Sequence, residues 1–203
     1  MTSRDPAVAN VASDISNLNN RLGIAESYVS NNTFTYKVGD TGPGGGIIFF
    51  VDRFNEYAGF TYLEVAPSST EVARSWATNI NSNQTTSVTG ADSRALGGGH
   101  QNTIDIVNQS GNVAATCAAA YCADLTSGGQ SDWYLPSLAE LVLIYRVVHL
   151  DLGTGSFLNS NYWASTESPA SPDGAAVVGF ISGGAAINTA KSTSARVRAI
   201  RRF

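Results

Sequence analysis

Charge is scarce in this chain of 203 residues: 14% of them are charged, and the formal net charge is −4. Nucleic-acid binding wants a strongly basic footprint, so no nucleic-acid partner is expected. Long apolar runs are missing as well. None approaches the ~18–20 residues of a membrane span, and no membrane insertion is expected. Met1-Thr2-Ser3-Arg4-Asp5 has no apolar region behind it, so a signal peptide is not expected there.

Catalytic residue types are equally thin, with two histidines and two cysteines. His149 falls near the end of a helix that begins at Ser137, which suits a dipole role or plain burial. His100 lies in a glycine-rich loop, with no cysteine or serine marked as its nucleophilic partner. Carboxylate pairs such as Asp132 with Glu140, or Glu167 with Asp173, resemble a glycosidase couple in composition, but nothing fixes their separation. If residues 113–125 are helical, the five-residue step from Cys117 to Cys122 sets them about 140° apart. That disfavours a disulfide, and buried free thiols are expected. Neither cysteine has a metal-ligand neighbour at useful spacing. The expectation is a protein with no catalytic residue, no metal site and no cofactor. Oxygen-rich loops leave calcium open, without a recognisable site.

What is present starts with a stripe. Val8, Val11, Ile15, Leu18, Leu22, Ala25 and Val29 alternate steps of three and four without a break. Val8, Ile15, Leu22 and Val29 take heptad position a, the other three position d. Asp5-Pro6 suits a helix start, a capping carboxylate followed by proline. Arg21 and Glu26 then fall at g and e, a register that allows an interchain pair. Gly23 sits on an outer position and costs about 1 kcal/mol against alanine. So narrow a stripe fits a short coiled coil, about 35 Å long, better than a helix lying on a globular domain. The expected organisation is an oligomerisation helix over 1–32 and a globular domain over 33–203. The core residues leave dimer and trimer both open.

Within the domain, Gly39 to Gly46 is glycine-rich but lacks the Lys-Ser/Thr ending of a phosphate loop. Ile47 to Val51 reads as a buried strand, with the glycines permitting close packing against another backbone. Phe60 to Val65 reads as its partner through a turn at Asn55–Gly59. A short helical turn is expected over 71–76, a long polar loop over 79–99, and helices over 102–109 and 113–125. Residues 162–165 read as a strand, and 177–182 with 187–191 as a hairpin around Gly183-Gly184. Ser194 to Phe203 alternates and reads as one closing strand.

The stretch Ser131-Asp132-Trp133-Tyr134-Leu135-Pro136-Ser137-Leu138-Ala139-Glu140-Leu141 ties these pieces together. Pro136 forbids helix before it, and Ser137 with Glu140 forms a capping box. Leu138, Leu141, Val142 and Tyr145 follow at helical spacing. Other segments accompany it: Gly42-Pro43-Gly44-Gly45-Gly46-Ile47-Ile48-Phe49-Phe50-Val51, Tyr62-Leu63-Glu64-Val65-Ala66-Pro67, Trp76, Tyr162-Trp163-Ala164-Ser165-Thr166-Glu167 and Val197-Arg198-Ala199-Ile200-Arg201-Arg202-Phe203. Together they resemble the C-terminal domain family of Lcl, a collagen-like bacterial adhesin. The resemblance runs from about Tyr36 to Phe203.

That resemblance implies an α+β fold of the C-type-lectin-like superfamily, a twisted antiparallel sheet with flanking helices, here behind a coiled-coil helix. The superfamily also holds formylglycine-generating enzymes and the receptor-binding proteins of some phages. The paired-cysteine copper site of those enzymes does not carry over to Cys117 and Cys122. Nor do the Glu-Pro-Asn or Gln-Pro-Asp triplets of calcium lectins occur; Ser171-Pro172-Asp173 shares only a proline and an acid. The resemblance implies a homotrimer, and the reading is a phage tail-fibre or virion surface protein. Its partners would be itself, other virion proteins through the N-terminus, and a host-surface polysaccharide or protein receptor. The alternatives are a structural decoration or fibre-joining protein without a receptor, or a secreted bacterial polysaccharide-binding adhesin at the cell surface.

Ligand contacts are expected from the polar loops over 79–101 and 168–174. The candidates are Arg94 and His100 in the first, Asp173 in the second, Tyr57 and Trp76 bordering loops, and Lys191 in the basic C-terminal region. Core placement is favoured for Trp76, as for Trp133 and Trp163. Lys191, Arg196, Arg198, Arg201 and Arg202 are expected to form ion pairs rather than one polyanion patch, though three copies around an axis would combine them.

Overall fold

The computed structural model describes residues 13–23 and 34–203. They fall into two units. In the first, residues 13–23 form helix α1. Its Ile15, Leu18 and Leu22 are 53%, 61% and 57% exposed, so the apolar stripe lies open along the helix. Val8, Val11, Ala25 and Val29, the other stripe positions, lie outside the described residues.

The second unit is α+β. Strands β1 (Ile47–Val51) and β2 (Tyr62–Val65) lead to β3 (Val72–Arg74). Helices α2 (Gly99–Asn108), α3 (Ala118–Asp124) and α4 (Leu138–Ile144) follow, the last continuing as a π-helical turn over Tyr145–Asp151. Then come β4 (Asn161–Glu167), β5 (Gly174–Gly179), β6 (Ala185–Ala190), β7 (Ala195–Val197) and β8 (Ile200–Arg202). One sheet has the order β1-β2-β8, the other β3-β7-β4-β5-β6. All pairings are antiparallel except a single parallel contact, Tyr162 with Arg196, between β4 and β7.

Period-two alternation splits the core between the faces of the larger sheet. Trp163, Ala175, Val177, Ala195 and Val197 pack on one side with Ile106 of α2 and Ala118, Ala119 and Cys122 of α3. Tyr162, Ala164, Ala176 and Val178 pack on the other with Leu138, Leu141 and Ile144 of α4 and with Phe49, Leu63, Val65 and Ile200 of the smaller sheet. With both faces covered, every residue of β5 is buried.

The glycine loop works as its composition implies. The buried Glu64 carboxylate accepts hydrogen bonds from the N–H groups of Gly44 (3.1 Å) and Gly46 (2.7 Å). A Cβ on Gly42 would overlap that carboxylate, one on Gly44 the Trp133 ring, and one on Gly46 the Val65 carbonyl.

Three expectations need correction. Residues 71–76 hold no helical turn: the 3-10 turn sits earlier, at Ser68–Thr70, and Val72–Arg74 is a strand paired with β7. Only Ala118–Asp124 of the expected 113–125 helix is helical. Cys117 is extended at its N-cap, where Ser75 pairs with it. Both cysteines are nonetheless free and buried. The closing strand is two strands, one in each sheet, because the chain breaks at Arg198–Ala199 and so links them.

Candidate functional site

The stretch around Asp132 builds a surface site because its backbone is fastened on three sides. Tyr134 exchanges hydrogen bonds with Ile200, its N–H donating at 2.7 Å and its carbonyl accepting at 2.9 Å. The Leu135 N–H donates to the Thr103 hydroxyl of α2 at 3.0 Å. Ser137 caps α4, accepting from the Glu140 N–H, while the Glu140 carboxylate accepts from the Ser137 N–H at 2.7 Å. The same carboxylate takes the Gly97 N–H (2.9 Å) and the Tyr134 hydroxyl (3.1 Å). Burial pushes the Glu140 carboxyl up, and these donors work against that push. Gly99, the first residue of α2, lies so close to Glu140 and the Ser137 N–H that no side chain fits there.

Between α2, the end of α3 and residues 131–134 lies a cavity of about 320 Å³. Ile104, Val107 and Ala123 supply apolar wall. His100, Asn108, Ser131 and Asp132 supply polar groups, and Thr103, Trp133 and Tyr134 complete the lining.

The charged groups around this site are held by partners within the protein. Asp132 Oδ1 accepts from Arg201 Nε at 2.7 Å, and Oδ2 from Arg201 Nη2 at 2.9 Å. Arg201 also reaches Glu64 at 3.3 Å and Gln130 Oε1 at 3.1 Å. Burial works to lower the Arg201 pKa, but the bonds and charges of Asp132 and Glu64 carry it upward. Arg202 Nη2 lies 3.2 Å from His100 Nδ1. A guanidinium only donates, so Nδ1 accepts and neutral His100 carries its proton on Nε2. Burial first, then the Arg202 charge, lowers the His100 pKa, with Asp132 partly opposing them. Such a set suits hydrogen bonding to a ligand; it presents no nucleophile paired with a base.

Of the candidate contact residues, the structure brings only His100 to this cavity. Trp76 is buried, its indole donating to the Ala164 carbonyl at 2.9 Å. Lys191 is buried too, bonded to Glu167 and to the Thr86 carbonyl, with its ammonium 4.7 Å from the Trp76 ring centre. Neither is placed to touch a ligand from solution, which corrects their candidacy as ligand contacts; the core placement favoured for Trp76 and the ion pair expected of Lys191 are what the structure has. Tyr57 is half-buried against Phe50 and Phe60. Arg94 is exposed on the loop before α2, and Asp173 on the loop before β5, where it accepts from Ser171.

The paired carboxylates read from sequence have separate tasks: Glu140 in the cap, Asp132 on Arg201, Glu167 on Lys191. Four of the five basic C-terminal residues form the ion pairs expected of them. Arg196 and Arg198 pair with Glu71, Arg201 with Glu64 and Asp132, and Lys191 with Glu167. Arg202 turns to His100 and the Gly97 carbonyl. Among the described residues no group of three or more His, Cys, Asp or Glu side chains is placed to hold a metal ion. Nor is any described helix long and apolar enough to cross a membrane.

Ile104, Val107 and Asn108 escaped the sequence reading. The signal was there: His100, Ile104, Val107 and Asn108 fall on one face of a helix that starts at Gly99. Starting it at Asn102 left His100 in a loop and hid the alignment.

The model of the Lcl C-terminal domain family matches residues 68–201. The chain belongs to the Lcl C-terminal domain family. All of α2, the 131–134 stretch and Arg201 lie inside the matched span, so the cavity is built from this Lcl-type domain itself. No curated protein matches the chain.

Proposed function

We propose that this chain is a homotrimeric phage tail-fibre or virion surface protein, with a C-type-lectin-like head that recognises a host-surface glycan or receptor. The observation that carries the reading is the open cavity beside Asp132, whose charged groups are each bound to a partner while hydrogen-bonding capacity remains. Such a site holds a ligand and performs no reaction on it. Membership of the Lcl C-terminal domain family supports the head, and the exposed stripe of Ile15, Leu18 and Leu22 supports a coiled-coil stalk.

The mechanism is multivalent recognition. Three heads on one axis raise a weak single-site affinity through effective concentration, provided the ligand offers sites at matching spacing. The N-terminal segment, 1–32, serves assembly and attachment, and the domain from 33 onward serves binding. Screening the labelled full chain against arrayed bacterial surface polysaccharides and glycoproteins tests the reading. Saturable binding to at least one member is expected. Binding to none, by an assembled protein, would leave the structural decoration role in its place.

A further inference from the structure

We infer that the cavity between α2 and residues 131–134 is a subsite for one unit of an uncharged saccharide. The inference rests on the reading of this domain as a glycan-binding head and names the ligand chemistry of that head. Three observations carry it.

The first is charge. Asp132 is the one charged residue of the lining, and two hydrogen bonds from Arg201 behind it compensate its charge. Arg201 is committed to Asp132, Glu64 and Gln130, and Arg202 to His100 and the Gly97 carbonyl. An anionic ligand would have to displace bonds already made inside the protein. A cation would find the Asp132 charge already paired with Arg201.

The second is acceptor geometry. Asp132 is 48% exposed at its side chain, and Arg201 uses one lone pair on each of its oxygens. The remaining lone pairs make a fixed, charge-compensated pair of acceptors, the arrangement that two neighbouring hydroxyls of a sugar satisfy at once. Asn108 adds an amide with both donor and acceptor character, and Ser131 a hydroxyl.

The third is the wall. Ile104, Val107 and Ala123 add apolar surface to the lining, and a pyranose presents C–H surface on one side and hydroxyls around its edge. A cavity of about 320 Å³ sits at the lower end of small-molecule sites, which run from about 300 to 1,000 Å³. It suits a single sugar unit, not a drug-sized ligand.

The test is saturation-transfer NMR on the full chain with galactose, glucose, mannose, N-acetylglucosamine, N-acetylgalactosamine and lactose, and with heparin as the polyanion. At least one neutral sugar is expected to bind. Val107→Trp, an exposed substitution that fills the cavity, should weaken it tenfold or more, and Asn108→Ala a few-fold. Val113→Trp, also exposed but outside the cavity, should change nothing. Circular dichroism verifies that each variant is folded, and Asn108→Ala carries the test if Val107→Trp is not. Neutral-sugar binding that survives both cavity variants overturns the subsite and leaves the glycan-binding head standing. Binding of heparin alone overturns the uncharged class and likewise leaves the head. No binding by any of these saccharides overturns both the subsite and the glycan-binding reading of the head, and leaves a protein receptor.

Discussion

Asp132 and Arg201 are joined by two parallel hydrogen bonds, Nε to Oδ1 at 2.7 Å and Nη2 to Oδ2 at 2.9 Å, so the stretch before α4 is fastened to the last strand. Arg201 is buried and has a second partner, Glu64, which is buried as well. The two acids therefore differ in what their loss leaves behind. Glu64→Ala strips the buried guanidinium and both glycine N–H groups of an acceptor, and should cost about 3–5 kcal/mol. Asp132→Ala removes a half-exposed partner that water replaces, and should cost about 1 kcal/mol. Urea titration of the two variants checks the order; equal losses would contradict it.

Gly46→Ala should be among the most damaging single-atom changes in the domain. Its Cβ would overlap the Val65 carbonyl, which is backbone and held in the pairing of β1 with β2. A loss of about 3 kcal/mol or more is expected, against a small gain for Gly23→Ala, where nothing lies within 4 Å. Thermal melts of both variants measure this.

His100 sets a pH dependence with a definite sign. Its pKa in the folded state lies below the ordinary value of 6.5, through burial and then the Arg202 charge, so the fold favours the neutral ring. The stability this gives is present above pH 6.5 and is lost as pH falls through the lower folded pKa. Protonation would also put a proton on the Nδ1 that accepts from Arg202, with Arg202 repelling and Asp132 attracting the new charge. His100→Asn should flatten the stability profile between pH 7 and pH 5. An unchanged profile would contradict the assignment.

Lys191 and Glu167 form a buried pair in which the carboxylate also accepts the Val88 N–H. Lys191→Ala should cost about 3–5 kcal/mol, because an uncompensated carboxylate remains inside. The double change Lys191→Met with Glu167→Gln should recover part of that loss. Double-mutant analysis of denaturation curves tests the coupling; strictly additive losses would contradict it.

Local chemistry made much of this domain readable in sequence. The Ser137–Glu140 capping box, the β1 strand and the Gly183-Gly184 hairpin appear where turn residues and periodicity put them, since their signals lie within a few residues. The resemblance to the Lcl C-terminal domain family was legible for the same reason, being carried by short motifs. Long-range pairing was not. Val72–Arg74 becomes a strand through β7, more than a hundred residues away, and no local pattern signals that partner. Lys191 is expected from sequence to form an ion pair, but it also stands as a candidate ligand contact because the sequence does not show that Glu167 and the Trp76 ring meet it inside. The cavity stayed hidden for a smaller reason: three residues of error at the start of α2 separated His100 from Ile104 and Val107.

The measurement that tests the fibre-type account most directly is the solution mass of the full chain by light scattering, with Leu18→Asp/Leu22→Asp beside it. The account predicts three times the chain mass of 21.2 kDa, weakening or falling apart when charge enters the exposed stripe. A mass of one chain for both proteins at all concentrations would contradict it, and with it the multivalent mechanism.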